Sequence, residues 1–341
     1  RDQPRSRGLG DVYKRQPVNF EYQGQDVDVV EIAVNDGKPI VNELLYGNIE
    51  GIKVDEDGKT VAGALIGLFR ADETEFTADN ALMTGLSDEN GAFSFNDVVY
   101  GHWIISEIEQ PEGFILSLEV HHVYINSDDM TIEITMENEH IKGNVQLTKL
   151  DEDYPDNKLT GAEFKIYSDV NGDGKLDEGD TFVGTLAETE IGIYELKDLY
   201  YGKYLCFESV APVGFELDTN VYAFEIKNHG ETVMVENEAG VGFLNKAQLG
   251  SLVISKTSED GVLEGFEFVV EGVDFLGNEY SETFVTDAEG KITVNIRPGK
   301  YEVYEKDSEN NVRYVLPEGQ AVEIKACEES QMDFVNELKK G

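Results

Sequence analysis

The chain has 341 residues and a formal net charge of -42 at pH 7, from 69 Asp and Glu residues against 27 Lys and Arg residues. A chain this acidic repels the phosphates of nucleic acids and anionic membrane surfaces, so neither is expected as a partner. Hydrophobic residues make up 40% of the sequence, which is enough for packed cores and excludes a disordered acidic tail.

The chain opens with a basic stretch without hydrophobic pattern, residues 1–16, that differs from everything after it. It resembles the translated sequencing-adapter tails of gene fragments, and we exclude it from reasoning about the fold. Residues 17–46 contain short β-rich runs separated by turns with Gly and Asp, which predict the last strands of a truncated domain.

From Gly47 onward, one spacing recurs three times. An Asn is followed five residues later by a Gly that opens a strand pattern, and six residues after that by a Lys. This spacing divides the chain into three units, at residues 47–142, 143–249 and 250–341. The pairs of Gly and Lys are Gly47 and Lys53, Gly143 and Lys149, and Gly250 and Lys256.

Each unit is predicted to be all-β. Short runs of alternating apolar and polar residues are separated by turn sequences such as residues 88–91, and no window shows sustained helical periodicity. Seven or so strands at regular spacing predict a β-sandwich, and the repeats predict an elongated array of tandem sandwiches. Cys206 and Cys327 fall in different units, so no disulfide framework is expected. No apolar run approaches the length of a membrane span, so no membrane contact is expected.

In each unit, three polar residues fall on the predicted core-facing side of a strand. Because side chains alternate between the two faces of a strand, Lys149 shares its face with Val145 and Leu147. Lys is almost never fully buried unless it is paired. The same alternation places one Glu and the terminal Asn of each unit inward, which gives three Lys–Glu–Asn trios. They are Lys53, Glu107 and Asn138; Lys149, Glu208 and Asn245; and Lys256, Glu305 and Asn336.

Burial of a trio favours the neutral, nucleophilic form of the Lys amine and the protonated form of the Glu carboxyl. A neutral amine beside a carboxamide can attack the amide carbon, while the Glu, as the catalytic group, transfers protons to the leaving ammonia. The expected product is a Lys–Asn isopeptide bond between the first and last strands of the unit. The alternative is a buried Lys–Glu ion pair with a hydrogen-bonded Asn, and the three copies in register favour the bond.

The order of motifs, GxVxLxK…LxGAxF…YGxYxxxExxAPxGF…N, resembles that of the Cna B-type, or SpaA-like pilin, domains of Gram-positive surface proteins. The resemblance covers residues 17–341 and implies transthyretin-like (prealbumin-like) β-sandwiches. It also implies that the Lys and Asn of each trio join autocatalytically beside the Glu. The third unit departs from the pattern, with residues 316–319 in place of APxGF, and residues 154–156 lack the Lys of a polymerising pilin motif. A pilus polymer and a single-chain adhesin therefore both stay open.

A loop in the second unit, residues 169–180, matches the spacing of a calcium-binding loop. Gly174 stands at the turn position, and strand patterns flank the loop, so a helical EF-hand is not expected. The alternative is a solvated turn rich in Asn, Asp and Gly. The candidate ligands are Asp169, Asn171, Asp173, Lys175 through its backbone carbonyl, Asp177 and Asp180.

We expect a structural function, as the stalk or repeat region of an extracellular, cell-wall-anchored adhesin or pilin-like protein. Cross-linking happens once per molecule, so no enzyme activity and no required cofactor are expected, and Ca2+ at residues 169–180 is the one candidate ion. The expected partners are a host extracellular ligand or neighbouring surface-protein domains, and the array is expected to be monomeric. One alternative is a module that binds a host glycoprotein or carbohydrate. The other is a transthyretin-like hydrolase, for which the sequence shows no convergent His, Arg and Ser pattern.

Overall fold

The structure, a computed structural model, describes residues 44–237 and 240–340. Within these ranges the chain forms strands and no helix, which confirms the predicted all-β class. It follows that no helix in the described residues is able to cross a membrane. The interpretations of residues 1–16 as a leader and of residues 17–43 as part of a truncated domain lie outside the described residues.

The first sandwich has seven strands in the described chain. They are β1 (Tyr46–Asp55), β2 (Leu65–Arg70), β3 (Met83–Leu86), β4 (Ala92–Val99), β5 (Gly101–Glu109), β6 (Val120–Ile125) and β7 (Met130–Asn138). They form two facing sheets, one with the order β4-β1-β7 and one with the order β3-β2-β5-β6.

The second sandwich has nine strands in the described chain. They are β8 (Lys142–Asp151), β9 (Glu163–Ser168), β10 (Thr181–Thr185), β11 (Ala187–Glu190), β12 (Ile193–Tyr200), β13 (Gly202–Val210), β14 (Val221–Ile226), β15 (Thr232–Met234) and β16 (Phe243–Asn245). One sheet has the order β11-β12-β8-β15, with β16 also paired to β8, and the other has the order β10-β9-β13-β14.

The third sandwich has eight strands in the described chain. They are β17 (Gly250–Ser258), β18 (Glu267–Asp274), β19 (Glu279–Val285), β20 (Lys291–Ile296), β21 (Gly299–Glu305), β22 (Tyr314–Val315), β23 (Gln320–Ile324) and β24 (Glu329–Leu338). Its sheets have the orders β20-β17-β24-β22 and β19-β18-β21-β23.

All three sandwiches pair their first strand in parallel with their last. β1 pairs with β7, β8 pairs with β15 and then β16, and β17 pairs with β24. Parallel neighbours need a crossover connection, and here the strands between them, including the whole facing sheet, provide it. The two ends of each domain are therefore adjacent strands, joined side by side.

The core of each sandwich lies between its sheets and is built from alternate residues of the strands. In β8 every second residue from Gly143 to Asp151 is buried, as the alternation predicts. β5 differs, because residues 103–107 are all buried. On the outer face of that sheet, the ring of Phe76 lies 5.0 Å from the ring of Phe69, which is the register partner of Ile104. The connection after β2 therefore covers part of the outer face, a tertiary effect that strand periodicity does not reveal.

The chain divides into two compact units. One holds the described residues up to Gly143 together with Asp198–Gly202 and Ile226–Glu231. The other holds Asn144–Lys197, Lys203–Glu225 and the described residues from Thr232 onward, so it contains most of the second sandwich and all of the third.

Inside that second unit, Arg297 of the third sandwich reaches the second sandwich. Its Nη2 lies 2.6 Å from Asp151 Oδ2, and its Nε lies 3.2 Å from Asp274 Oδ2. All three side chains are at least nine-tenths buried, so each charge depends on the others for compensation. The guanidinium carbon also lies between 5.0 and 5.7 Å from the centroids of three aromatic rings, those of Tyr154, Phe215 and Phe275.

Candidate functional site

The register of the first and last strands brings the Lys and Asn of each predicted trio to neighbouring positions. In every sandwich the Lys is the Cα partner of the residue two positions before the Asn. Residues two apart on a strand share a face, so the Lys and Asn side chains are diagonal neighbours on the core side. The partners are Lys53 and Met136, Lys149 and Phe243, and Lys256 and Phe334.

The Glu of each trio comes from the facing sheet. Glu107, Glu208 and Glu305 lie on β5, β13 and β21, where their Cα partners are apolar core residues of the neighbouring strand. Across the three trios no residue is more than 5% exposed, so nine polar side chains are buried between the sheets. The structure therefore brings each predicted trio together in the core of its own sandwich.

The second trio has the most contacts among its members. The Lys149 amine donates a short hydrogen bond to Asn245 Oδ1 and lies 3.5 Å from Glu208 Oε1. Asn245 Nδ2 donates to both carboxylate oxygens of Glu208, at 3.0 and 2.9 Å. The amine, the carboxamide and the carboxyl thus form one closed group in a buried site.

In the first trio, the carboxyl group of Glu107 lies between the Lys and the Asn. Asn138 Nδ2 donates to Glu107 Oε2 at 2.9 Å, and the Lys53 amine lies 3.8 Å from Glu107 Oε1. The amine also donates to the backbone carbonyl of Glu137, at 3.2 Å. Within the described chain, Glu107 Oε1 and Asn138 Oδ1 are buried without a hydrogen-bond partner, and such groups are costly to bury.

In the third trio the Lys amine makes no hydrogen bond to the other two members in the described chain. Asn336 Nδ2 donates to Glu305 Oε1 at 3.0 Å, but the Lys256 amine donates to the backbone carbonyl of Thr257 at 2.6 Å. The amine also lies 4.2 Å from the centroid of the Phe266 ring. Before it can attack the Asn336 carboxamide, the Lys256 side chain must leave the Thr257 carbonyl.

Burial lowers the pKa of all three lysines. Desolvation of the ammonium is the largest cause, and it lowers the pKa of Lys149 to about 8. The same cause lowers the pKa of Lys53 and of Lys256. The nearby Glu of each trio opposes the shift, because its negative charge favours the ammonium form. The net effect is that each buried lysine is more readily converted to the neutral amine than a lysine in water.

Sequence reasoning missed the groups that hold the Glu carboxylates. Glu107 Oε2 accepts a hydrogen bond from the backbone N–H of Ser117 at 2.7 Å, and Glu208 Oε2 accepts one from that of Asp218 at 2.8 Å. Any residue can supply a backbone N–H, so the sequence carries no signal for these two donors. In the third sandwich the donor is the side chain of Asn311, at 3.0 Å from Glu305 Oε1.

The predicted calcium loop, residues 169–180, is held by its own hydrogen bonds. The carboxylate of Asp169 accepts from the N–H of Gly172 at 2.8 Å and from that of Gly174 at 3.0 Å. Asn171 Nδ2 donates to Asp177 Oδ2 at 2.8 Å. In the described part of the chain, no three His, Cys, Asp or Glu side chains are grouped closely enough to hold a metal ion. The other candidate ligands also form hydrogen bonds within the loop: Asp173 accepts from the N–H of Lys175, and Asp180 accepts from those of Val170 and Asp177. Calcium binding here stays a prediction.

Two other residues with side chains that often serve as functional groups, a cysteine and a tryptophan, are instead buried in the cores of their sandwiches. Cys206 is fully buried in the second core, where desolvation raises the pKa of its thiol. Trp103 is 5% exposed, and its indole N–H donates to the backbone carbonyl of Val99 at 2.9 Å. Neither the thiol nor the indole ring is presented to solvent.

Comparison with protein families gives three matches along the chain. The family model for the SpaA prealbumin-like fold domain matches residues 47–140, 143–239 and 250–338. These matches cover most of the chain, and each falls within one sandwich, although the second ends before β16. No curated protein sequence matches the chain.

Several solved structures have similar folds. The Bacillus anthracis TIE protein is 25% identical, with a TM-score of 0.63, over 87% of this chain and 51% of that one. The chain thus spans about half the length of that protein. BcpA, the major pilin subunit of Bacillus cereus, is 15% identical with a TM-score of 0.39, over 86% of this chain and 99% of that one. The major pilin SpaD of Corynebacterium diphtheriae is 14% identical with a TM-score of 0.27, over 85% of this chain and 97% of that one.

Proposed function

The chain belongs to the family of SpaA prealbumin-like fold domains, and from this premise we propose that it is a stalk segment whose three domains each close with a Lys–Asn isopeptide bond. The observation that carries the proposal is the repetition of one buried trio in one register in all three sandwiches. A single buried Lys–Glu pair is common in structural ion-pair networks, but three buried trios that each hold the Asn carboxamide against the Glu carboxyl favour a shared reaction.

The proposed reaction begins with the neutral Lys amine. Its nitrogen lone pair attacks the Asn side-chain carbonyl carbon, and a new C–N bond forms. The Glu carboxyl, which lies against the Asn Nδ2 in all three trios, accepts a proton from the attacking nitrogen and delivers a proton to the departing nitrogen. The original carboxamide C–N bond then breaks and ammonia leaves. An amine and a primary amide have become a secondary amide and ammonia, with no other reactant.

The second trio shows how the protein lowers the barrier to this reaction. The amine of Lys149 already lies against the Asn245 carboxamide, and Glu208 contacts both groups. Holding reactants in contact removes the entropy cost of bringing them together, which accounts for reaction between groups that are inert in water. The reaction consumes its own groups, so we propose self-maturation and not enzymatic turnover.

The bond would stabilise each domain in the way that a disulfide does. It joins the first strand to the last and so closes nearly the whole domain into a loop, which restricts the unfolded chain. This chain has only two cysteines, and Cys206 and Cys327 are both free, so disulfides do not serve that purpose here. Resistance to unfolding suits a segment outside the cell.

We place the chain on the surface of a Gram-positive bacterium, as part of a wall-attached adhesin or pilin-like protein. The support is the family of SpaA prealbumin-like fold domains, which matches the chain three times. The proposed partners are the neighbouring domains of the same surface assembly. Recognition of a host glycoprotein or carbohydrate is the alternative function, and it would reside on the surface of the sandwiches, apart from the buried trios.

The test is the intact mass of the folded chain. Each bond releases one ammonia, so we expect three losses of about 17 Da each relative to the sequence. Glu107→Ala should abolish one loss, because it removes the proton-transfer group while leaving Lys53 and Asn138 in place. The matched control is Glu109→Ala, an exposed residue on the same strand, which should keep all three losses. An unmodified mass for the folded wild-type chain would contradict the proposal and identify the trios as buried ion pairs.

A further inference from the structure

The Glu carboxylate of the third trio is held differently from those of the first two. In the first two sandwiches the donor is a backbone N–H ten residues after the Glu, at Ser117 and at Asp218. Both donors follow a turn that begins at Pro111 or Pro212, in the APxGF region of the pattern. The third domain lacks that segment, so it needs another donor for its carboxylate.

Asn311 supplies that donor. Its Nδ2 lies 3.0 Å from Glu305 Oε1, the same oxygen that accepts from Asn336 Nδ2 at 3.0 Å. Asn311 is 1% exposed, so this hydrogen bond is shielded from water. The side chain is also fixed on both sides, because Nδ2 donates to the Lys306 carbonyl at 2.9 Å and Oδ1 accepts from the Ser308 N–H at 2.9 Å.

We propose that Asn311 is a positioning residue for the third cross-link. It holds Glu305 Oε1 against the carboxamide of Asn336, as the backbone N–H groups of Ser117 and Asp218 hold their own Glu carboxylates. Glu305 Oε2, which has no hydrogen-bond partner in the described chain, is left free to exchange protons with Lys256. This inference rests on the proposed isopeptide chemistry and adds a residue to it that the family pattern does not contain.

A purely structural role has to be separated from this one, because Asn311 also closes the turn of residues 306–311. Asn311→Asp separates them. The new carboxylate has the same shape and keeps an acceptor for the Ser308 N–H, but it loses both hydrogen bonds of Nδ2, to Glu305 Oε1 and to the Lys306 carbonyl. Loss of the turn bond alone would not move the pH dependence of the reaction, so the pH–rate profile separates the two roles. It also adds a negative charge beside Glu305, and negative charge near Lys256 favours the ammonium form of that amine, so the neutral amine forms at higher pH.

The experiment follows bond formation in each domain of the full chain. The chain is made in a cell-free reaction, samples are quenched in denaturant at intervals, and the Lys–Asn cross-linked peptides are quantified after proteolysis. The first two domains are internal controls. Asn310→Asp is the matched variant, because Asn310 is the exposed neighbour and donates its own side-chain hydrogen bond to the Gly265 carbonyl, away from Glu305.

For Asn311→Asp we expect the third cross-link to form at least about tenfold more slowly, the cost of losing a hydrogen bond to a charged group. We also expect its pH–rate profile to change, with the first two domains and Asn310→Asp unchanged. An Asn311→Asp chain whose third domain has the wild-type rate and pH profile would overturn the role of Asn311 alone. A wild-type chain that cross-links only its first two domains would also overturn it. The absence of cross-links from every domain would overturn the proposed function as well.

Discussion

At the residue scale, the proposed reaction depends on how easily the buried lysine loses its proton. Desolvation beside the Glu208 carboxyl leaves the pKa of Lys149 at about 8, well below that of a lysine in water. The Glu charge alone would shift the pKa the other way, so burial decides the sign. For the proposed reaction, packing would therefore supply the neutral amine near neutral pH, without an added base.

This pKa predicts how the second cross-link depends on pH. The neutral amine is the reactive form, and its fraction rises as the pH rises towards the Lys149 pKa of about 8. We expect the rate of bond formation in the second domain to increase with pH and to level off above that value. The rate is measured from the cross-linked peptide at intervals after synthesis, with folding followed in parallel. A rate that is flat or falls with rising pH would contradict the assignment of Lys149 as nucleophile.

At the scale of strands and loops, most of the site could be predicted because strand periodicity is a local property. A two-residue period fixes which side chains face the core, and it placed all nine trio residues correctly in the buried layer. Extended back from Asn245, the same alternation places Val241 on the inward face, but Val241 is 43% exposed. β16 begins only at Phe243, so Val241 lies before the strand and outside its alternation.

Other contacts could not be predicted because they depend on tertiary placement. The N–H of Ser117 reaches Glu107 only through the path of the loop that follows β5, which the side-chain pattern does not encode. Arg297 would be taken from sequence for a surface charge, and its contact with Asp151 depends on how two sandwiches pack. The sequence allows Asn311 to be predicted as a turn residue. Nothing in the local sequence shows that Asn311, and not Asn310, contacts Glu305.

The loop of residues 169–180 carries the prediction that belongs to this scale. If the loop binds calcium, adding Ca2+ after chelation should raise the melting temperature of the chain, since a ligand that binds only the folded state stabilises it by mass action. Asp169→Ala should abolish the rise, because that carboxylate also fixes the loop through the N–H groups of Gly172 and Gly174. Asp156→Ala, an exposed residue of the same domain, is the control and should respond as wild type. An identical response in all three proteins would show that calcium acts elsewhere.

At the scale of the whole molecule, Arg297 determines whether the second and third sandwiches behave as one body. It bridges Asp151 and Asp274 and lies among three aromatic rings, so its loss would leave two buried carboxylates without their charge partner. Removing one partner of a buried pair typically costs about 3–5 kcal/mol. We therefore expect loss of Arg297 to destabilise both domains at their contact.

Arg297→Ala should uncouple them. We expect calorimetry to show the second and third domains melting in separate transitions, with the lower one shifted down relative to wild type, because Asp151 and Asp274 are no longer compensated. Arg313→Ala is the matched control, since its partner Asp260 lies in its own sandwich and its side chain is 55% exposed. If Arg297→Ala melts as wild type does, Arg297 contributes nothing to the coupling.

The side-by-side pairing of first and last strands has a consequence for how the chain would respond to tension. With the three proposed bonds in place, a pull entering at Lys53 passes directly to Asn138, continues along residues 138–149, crosses to Asn245 and follows residues 245–256 towards Asn336. The backbone between each Lys and its Asn is bypassed, so it gains no length when the chain is stretched. Extensibility is then confined to two short links, most of whose residues are already extended in β8 and β17. Insertions such as residues 169–180 lie in the bypassed parts and can change in length without altering the elastic behaviour of the stalk.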